Sequence, residues 1–298
     1  MKHIHWNDFY VLNTIYKKNN KTNNLKPMAK FLKKFTTHTA YESYISGLTE
    51  EEVILPNVSY CVDANDVHYN PWVETRLVAK FNVTSTSSAI DIMDSSTTSY
   101  FSDIEIDGVV QPSVVSSYTF DTTGEHTVKY TLVDPTTIGN ATFWNCNNLI
   151  SITISDSVTS IGANAFRNCT GLTSIVIPNT VTTLGTTAFA GCTNLTNVTI
   201  GNSVTSISQL AFYDCNSLTS ITIPDSVTSI GSSAFQSCDG LTSITSLATT
   251  APTISNSTFQ GVKTGGTLTV PTGSTGYDVW MGTGNYYLGK YSWTKVEQ

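Results

Sequence analysis

Between residues 138 and 247 the apolar positions recur on a 23-residue beat. Phe143, Phe166, Phe189, Phe212 and Phe235 keep it. Cys146, Cys169, Cys192, Cys215 and Cys238 follow three residues later, and Leu149, Leu172, Leu195, Leu218 and Leu241 three later again. Self-similarity at this period marks a solenoid, in which each coil buries its apolar side only by stacking on its neighbours. One unit runs from Leu218 to Cys238. In it Ile221 and Ile223 alternate with Ser220 and Thr222, the period-two pattern of a half-buried strand. Pro224-Asp225 ends that strand, and Val227 and Ile230 predict a second short extended piece closed by Gly231. Ser232-Ser-Ala-Phe235 predicts a single helical turn that carries Phe235 and Cys238 inward.

The pattern L-x-x-I-x-I-P-x-x-V-x-x-I-G-x-x-A-F-x-x-C, from Ile138-Gly139 to about Leu247, resembles the BspA-like class of leucine-rich repeats. That resemblance implies a repeat solenoid of short strands with helical or 3-10 turns, used for adhesion or recognition, with no catalytic residues to carry over. The solenoid is expected over residues 135–261. There the beat fails, because Phe259 arrives one residue late and Gly261 stands where a cysteine is due. Residues 262–298 are expected to form a C-terminal cap whose aromatics, Tyr277, Trp280, Tyr286 and Trp293, close the core rather than stack on sugars.

Upstream, residues 73–134 alternate in strand fashion at Leu77–Val83, Ala89–Met93, Phe101–Ile106, Val109-Val110 and His126–Leu132, with Asp107-Gly108 as a hairpin turn. Several short strands in about 60 residues predict a small all-β immunoglobulin-like sandwich that caps the open end of the solenoid. Residues 36–72 predict a short β-hairpin element, with Val58–Val62 and Val67–Tyr69 joined by an Asp-Ala-Asn-Asp turn. The wording Leu55-Pro-Asn-Val-Ser-Tyr-Cys61 followed by Val67-His-Tyr-Asn-Pro71 resembles an N-terminal element of virion proteins from tailed phages of gut Bacteroidales. It implies an adaptor that docks on virion structural proteins. Residues 1–35 predict a basic, disordered arm around the run Lys17–Lys26, and Met28 offers a more natural start.

Charge narrows the function. Only 12% of residues are charged, and the coils from Ile150 to Thr250 hold just Asp156, Arg167, Asp214, Asp225 and Asp239. Such a surface suits neutral, hydroxyl-rich ligands and excludes nucleic acid, which demands basic clusters. Eight lysines and one aspartate give residues 1–40 a charge of +7, and seven basic against 21 acidic residues give the remainder −14. The arm is read as a solvated tail. No stretch approaches the roughly 20 apolar residues of a membrane helix, so no membrane insertion is expected. Nor does Phe9–Leu12 make the core of a signal peptide.

No cofactor, metal or catalytic residue is expected. The five equivalent cysteines are read as a ladder of buried thiols rather than disulfides or metal ligands, since the repeats contain no histidine. Cys61, Asp63, Asp66 and His68 are permissible ligand types, but their spacing fits no zinc or calcium loop, and an Asp- and Asn-rich turn accounts for them. The five histidines share no acid–base spacing, and neither a nucleophile elbow nor a phosphate loop occurs.

These readings converge on a non-enzymatic recognition protein. Its candidate binding surface is the exposed ladder of the first strand of each coil: Ser151 and Thr153, Ser174 and Val176, Asn197 and Thr199, Ser220 and Thr222, Ser243 and Thr245. The expected partner is a host cell-surface protein or glycan. A virion-borne, extracellular protein fits the missing signal peptide. A bacterial surface or secreted adhesin is the alternative, and an inert spacer the third.

Overall fold

The computed structural model describes residues 76–298 except 256 and 285, together with the backbone of five upstream strands. The chain divides into two compact units, Met1–Glu74 and Thr75–Gln298. In the first, Phe9–Lys18 pairs antiparallel with Leu25–Phe35, Glu52–Ile54 and Tyr60–Val62, and Tyr60–Val62 pairs with His68–Tyr69. A strand pair thus stands where the composition predicts a disordered arm. The lysine-rich run that suggested disorder supplies the strand ends, and the β-prone Phe-Tyr-Val-Leu segment outweighs it. The side chains of Cys61, Asp63, Asp66 and His68, and those of the phage-like motif, lie outside the described residues.

The second unit begins with a sheet ordered Leu149–Thr153, Arg76–Val83, Gly124–Leu132, Phe101–Ile106 and Val109–Val110, antiparallel throughout. Alternate residues face inward: Leu77, Ala79, Phe81 and Val83 on one strand, Val128, Tyr130 and Leu132 on the next. This face is covered by the two-residue pair Ile90–Asp91 and Ser117–Tyr118, the 3-10 turn Ser95–Tyr100 and buried side chains such as Met93, Phe120 and Phe143, with no second sheet of longer strands among the described residues. The expected immunoglobulin-like sandwich is therefore replaced by one sheet with a partial lid, because the strand-like Ala89–Met93 bends after two residues. The lid is nonetheless tied down, since the Tyr130 hydroxyl donates to the Ile92 carbonyl at 2.7 Å.

The first coil joins this sheet edge to edge. Leu149–Thr153 lies antiparallel to Arg76–Val83, with Ser151 opposite Lys80 and Thr153 opposite Val78. Side chains continue the join inside, where the Phe143 ring lies 5.3 Å from Tyr130 and 6.4 Å from Phe101. Sheet extension pairs the first strand of the opening coil, Leu149–Thr153, so that this strand is not left as an open edge at that end.

From there each coil contributes two short parallel strands, such as Ser220–Ile223 and Ser229–Ile230. The phenylalanines form one stack from Phe143 to Phe259, with neighbouring centroids 5.1–5.9 Å apart and planes within 12°. Each offset aromatic pair contributes about 0.5–1.5 kcal/mol beyond burial. Cysteines stand beside them, unbridged and buried. Their thiols donate to the phenylalanine carbonyl of the preceding coil, Cys169 to Phe143 at 3.0 Å, Cys192 to Phe166 at 3.1 Å, Cys215 to Phe189 at 3.3 Å and Cys238 to Phe212 at 3.1 Å.

The expected helical turn before each cysteine is a run of tight turns instead. Asn164 and Asn168, and their equivalents Thr187 and Gly191, Leu210 and Asp214, Ser233 and Ser237, take positive φ. Two left-handed residues within five cannot sit in a helix. The donors a helix would consume are spent between coils: Asn164, Phe166 and Asn168 donate to the carbonyls of Thr186, Ala188 and Ala190 at 3.0, 2.8 and 2.8 Å. Coils approach so closely there that a Cβ on Gly185 would lie 2.4 Å from the Ala163 nitrogen.

The late beat near residue 250 is absorbed locally. Ser220–Ile223 faces Ser243–Ser246 in the regular offset, but Ser229 faces Thr253, one residue further on. The extra residue therefore lies between Ser246 and Pro252, and Phe259 still stacks on Phe235. Nor does the solenoid stop at residue 261. Thr267–Val270 pairs parallel with Ser243–Ser246, and Thr294–Glu297 pairs parallel with Thr267–Val270. What was expected as a separate cap continues the strand ladder and closes it. Trp280 is buried against Phe259 at 5.3 Å, and its indole N–H donates to the Pro252 carbonyl at 3.0 Å.

Candidate functional site

All ten residues of the predicted ladder lie on one face of the unit. Thr153, Ser174, Val176, Asn197, Thr199, Ser220 and Thr222 are exposed, and Ser151, Ser243 and Thr245 are half-buried. Register fixes two rows: Ser174 stands beside Asn197, Ser220 beside Ser243, and Val176 beside Thr199, Thr222 beside Thr245. Both rows outrun the prediction. Ser243 is followed by Thr267 and Thr294, and Thr245 by Thr269 and Val296. At the other end Ser151 and Thr153 pass the face on to Lys80 and Val78.

This handover brings in charge that no repeat signal announces. Opposing and alternating positions put Arg76, Lys80, Lys129, Asp103, Glu105 and Glu125 on the exposed face of the N-terminal sheet. Arg76 and Lys129 both reach Glu105, at 3.0 and 2.6 Å, and Lys80 reaches Glu125 at 2.7 Å. The Lys129 hydrogen bond, offset in part by desolvation and assisted by Arg76, holds the Glu105 carboxyl below its ordinary value. The face therefore runs from a balanced ionic patch into a neutral hydroxyl-lined one.

Hydroxyl groups on the solenoid divide into two kinds. Thr173 donates to the Ile150 carbonyl, Thr196 to Thr173 and Thr242 to Thr219, at 3.3, 3.0 and 3.3 Å. A second column does the same along Thr136, Thr159 and Thr182. These hydroxyls are consumed by the stack. Those of Thr153, Ser174, Thr199, Ser220, Thr222, Ser243 and Thr245 have no side-chain partner among the described residues. Asn197, also exposed, donates sideways to the Thr196 hydroxyl at 3.1 Å. The predicted ladder is thus the column of hydroxyls left unspent, a distinction invisible in a sequence where both columns read Thr or Ser.

The slip in the beat opens one further depression, a shallow groove of about 500 Å³ lined by Asp225, Thr228, Leu247 and Thr250 among others. Among the described residues no group of histidine, cysteine or carboxylate side chains has the arrangement of a metal site. No helix among them is long and apolar enough to cross a membrane.

Coils of two short parallel strands stacked about an apolar ladder make residues 137–297 a β-solenoid of the leucine-rich repeat type. Residues 136–265 match, in six copies, the family model of the BspA type leucine rich repeat region, so this part of the chain is such a region. No match occurs among the curated proteins. Among solved structures the chain is similar to a leucine-rich repeat protein of T. pallidum, at 26% identity over 40% of this chain and 55% of that one, with a TM-score of 0.31. It is similar to a leucine-rich repeat protein of Bacteroides ovatus at 27% identity over 46% of this chain and 40% of that one, TM-score 0.29. A leucine rich cell surface protein of Faecalibacterium prausnitzii matches at 18% identity over 51% and 60%, TM-score 0.32. The chain thus spans roughly half the length of the structures it resembles.

Proposed function

We propose that this chain is a non-enzymatic recognition protein whose strand face binds a protein or glycan on a cell surface. One observation carries the reading: the hydroxyls of Ser174, Thr199, Ser220 and Thr222 are exposed and unspent, while the neighbouring threonine columns are tied into the stack. Each neutral hydrogen bond contributes only about 0.5–1.5 kcal/mol net. Useful adhesion on such a face is therefore distributed over many rungs and reinforced by multivalent display.

We further propose that the chain is carried on a phage virion, as a head- or tail-fibre type protein docked through its N-terminal unit. The wording around Leu55–Cys61 and Val67–Pro71 supports this over display as a bacterial surface adhesin. The F. prausnitzii neighbour, described as a cell surface protein, favours the alternative. Mass spectrometry of purified particles decides between them: the chain is expected among the structural proteins, and its absence there removes the virion reading.

The strand face itself is tested by placing arginines on it. Asn197→Arg with Ser220→Arg is expected to abolish binding of the labelled chain to gut Bacteroidales cells while shifting stability by no more than about 0.5 kcal/mol, as exposed changes do. Unchanged cell binding would turn the solenoid into a spacer.

A further inference from the structure

We propose that the shallow groove at the slip in the beat is a second binding site, separate from the strand face, and that its ligand is a neutral pyranose. The groove holds about 500 Å³ and is lined by Asp225, Leu247, Thr249, Thr250 and Ala251 among others. Sites for small ligands run from about 300 to 1,000 Å³, so a sugar ring has room. The first strands of two coils, Ser220–Ile223 and Ser243–Ser246, end within two residues of it.

Its wall departs from the regular joints. Leu247 stands where the three coils before it hold Pro224, Gly201 and Pro178, all buried, yet it is 50% exposed. Asn179, in the position of Asp225 two coils earlier, accepts from the Asn202 N–H at 3.0 Å. Asp225 is exposed, and among the described residues its carboxylate has neither a hydrogen-bond donor nor a cation. Thr228 and Thr253 spend their hydroxyls on the carbonyls of Thr205 and Thr228, at 3.2 and 3.4 Å. The hydroxyls and N–H groups of Thr249 and Thr250 are unspent among the described residues. This stretch is bonded to Thr275 only through the Thr249 carbonyl and the Ala251 N–H, at 2.9 Å each.

A charged acceptor, neutral donors and an apolar patch in one groove narrow the ligand. Adjacent ring hydroxyls meet a carboxylate through short, charge-assisted bonds, and sugar oxygens accept from Thr249 and Thr250. The C–H face of the ring covers Leu247 and Ala251. An anionic sugar is repelled by Asp225, since no cation lines the groove among the described residues. A simple ammonium would pair with Asp225 but leave the threonine donors idle.

The test titrates the full chain with the methyl glycosides of glucose, galactose and mannose, following heat and saturation-transfer NMR, with tetrahydropyran and butylamine as controls. Saturable binding of at least one glycoside is expected, with a Kd of about 1 mM, and no saturation by either control. Asp225→Asn is expected to weaken the glycoside about tenfold by taking the charge out of its hydrogen bonds. Leu247→Ser is expected to weaken it about fivefold by removing the apolar patch, and both variants keep the parent Tm, as exposed changes do. Asn197→Arg with Ser220→Arg is expected to leave this binding intact, so failure here and failure of the strand face are read separately. No saturable glycoside, butylamine bound as tightly as any glycoside, or an Asp225→Asn variant that binds as the parent does would overturn the assignment.

Discussion

Four of the five thiols of the solenoid meet a carbonyl on the coil before them, and burial decides the chemistry of all five. Burial pushes the Cys192 and Cys238 thiols up to about 12 and raises Cys146, Cys169 and Cys215 well above their ordinary value of 9.0. A raised value in the folded state means that the unfolded chain releases these protons first. The stabilisation from burying neutral thiols is therefore whole below about pH 9 and is lost as pH climbs toward 12, at about 1.4 kcal/mol per pH unit for each thiol in that window. Burial of Tyr130 raises its hydroxyl and acts with the same sign at higher pH. The urea midpoint is expected to stay level from about pH 7 to 8.5 and to fall clearly by about pH 10.5. A midpoint unmoved at the higher pH would show that the thiols are not held neutral. At this scale the sequence made the buried ladder legible, since five cysteines in step with phenylalanine and leucine cannot all pair. It concealed the bonds that four of these thiols make, because a donor to a neighbouring backbone leaves no mark on residue type. Thr173 and Thr199 likewise look alike as letters and differ only in whether a carbonyl lies in reach.

Among the elements, the aromatic stack is the longest continuous one, running from Phe143 to Phe259 and ending on Tyr130 and Phe101 at one side and Trp280 and Tyr277 at the other. Phe189 sits in its middle, 5.1 and 5.5 Å from its neighbours. Phe189→Ala is expected to cost about 3–5 kcal/mol, measured by urea unfolding, because the void opens on two stacking contacts and rigid coils cannot collapse into it. A cost near 1 kcal/mol would mean that the coils close over the gap. The strands of the repeats were legible from period-two alternation, but the turn before each cysteine was not. Ser-Ser-Ala-Phe has the composition of a helical turn, and only the demand of the next coil for its N–H groups forces the left-handed positions at residues such as Asn164 and Asn168. The upstream sheet failed for a related reason: its strands were visible, but its pairing partner, Leu149–Thr153, belongs to the repeat and not to a second sheet of its own.

Over the whole second unit, one polar face runs from the Arg76–Val83 strand to the Thr294–Glu297 strand without a change of side. The predicted ladder covered its middle. Its charged end stayed hidden, since nothing in a periodic pattern says which flanking strand will be hydrogen-bonded to the first rung, and its far end was obscured by the broken beat after residue 250. Because the interior joints repeat the same phenylalanine stack, within 5.1–5.9 Å, and the same pattern of thiol and backbone bonds, the coils are close to interchangeable. Removing residues 163–185, one full period, is expected to give a chain that folds with a cooperative transition and a modestly lower Tm, checked by calorimetry. An unfolded product would show that particular coils, not the joint, specify the stack. A repeat gained or lost by unequal recombination therefore leaves the phenylalanine stack and the backbone ladder of the remaining coils in place. Each such event lengthens or shortens the strand face by one rung, so that its reach can vary while the fold is kept.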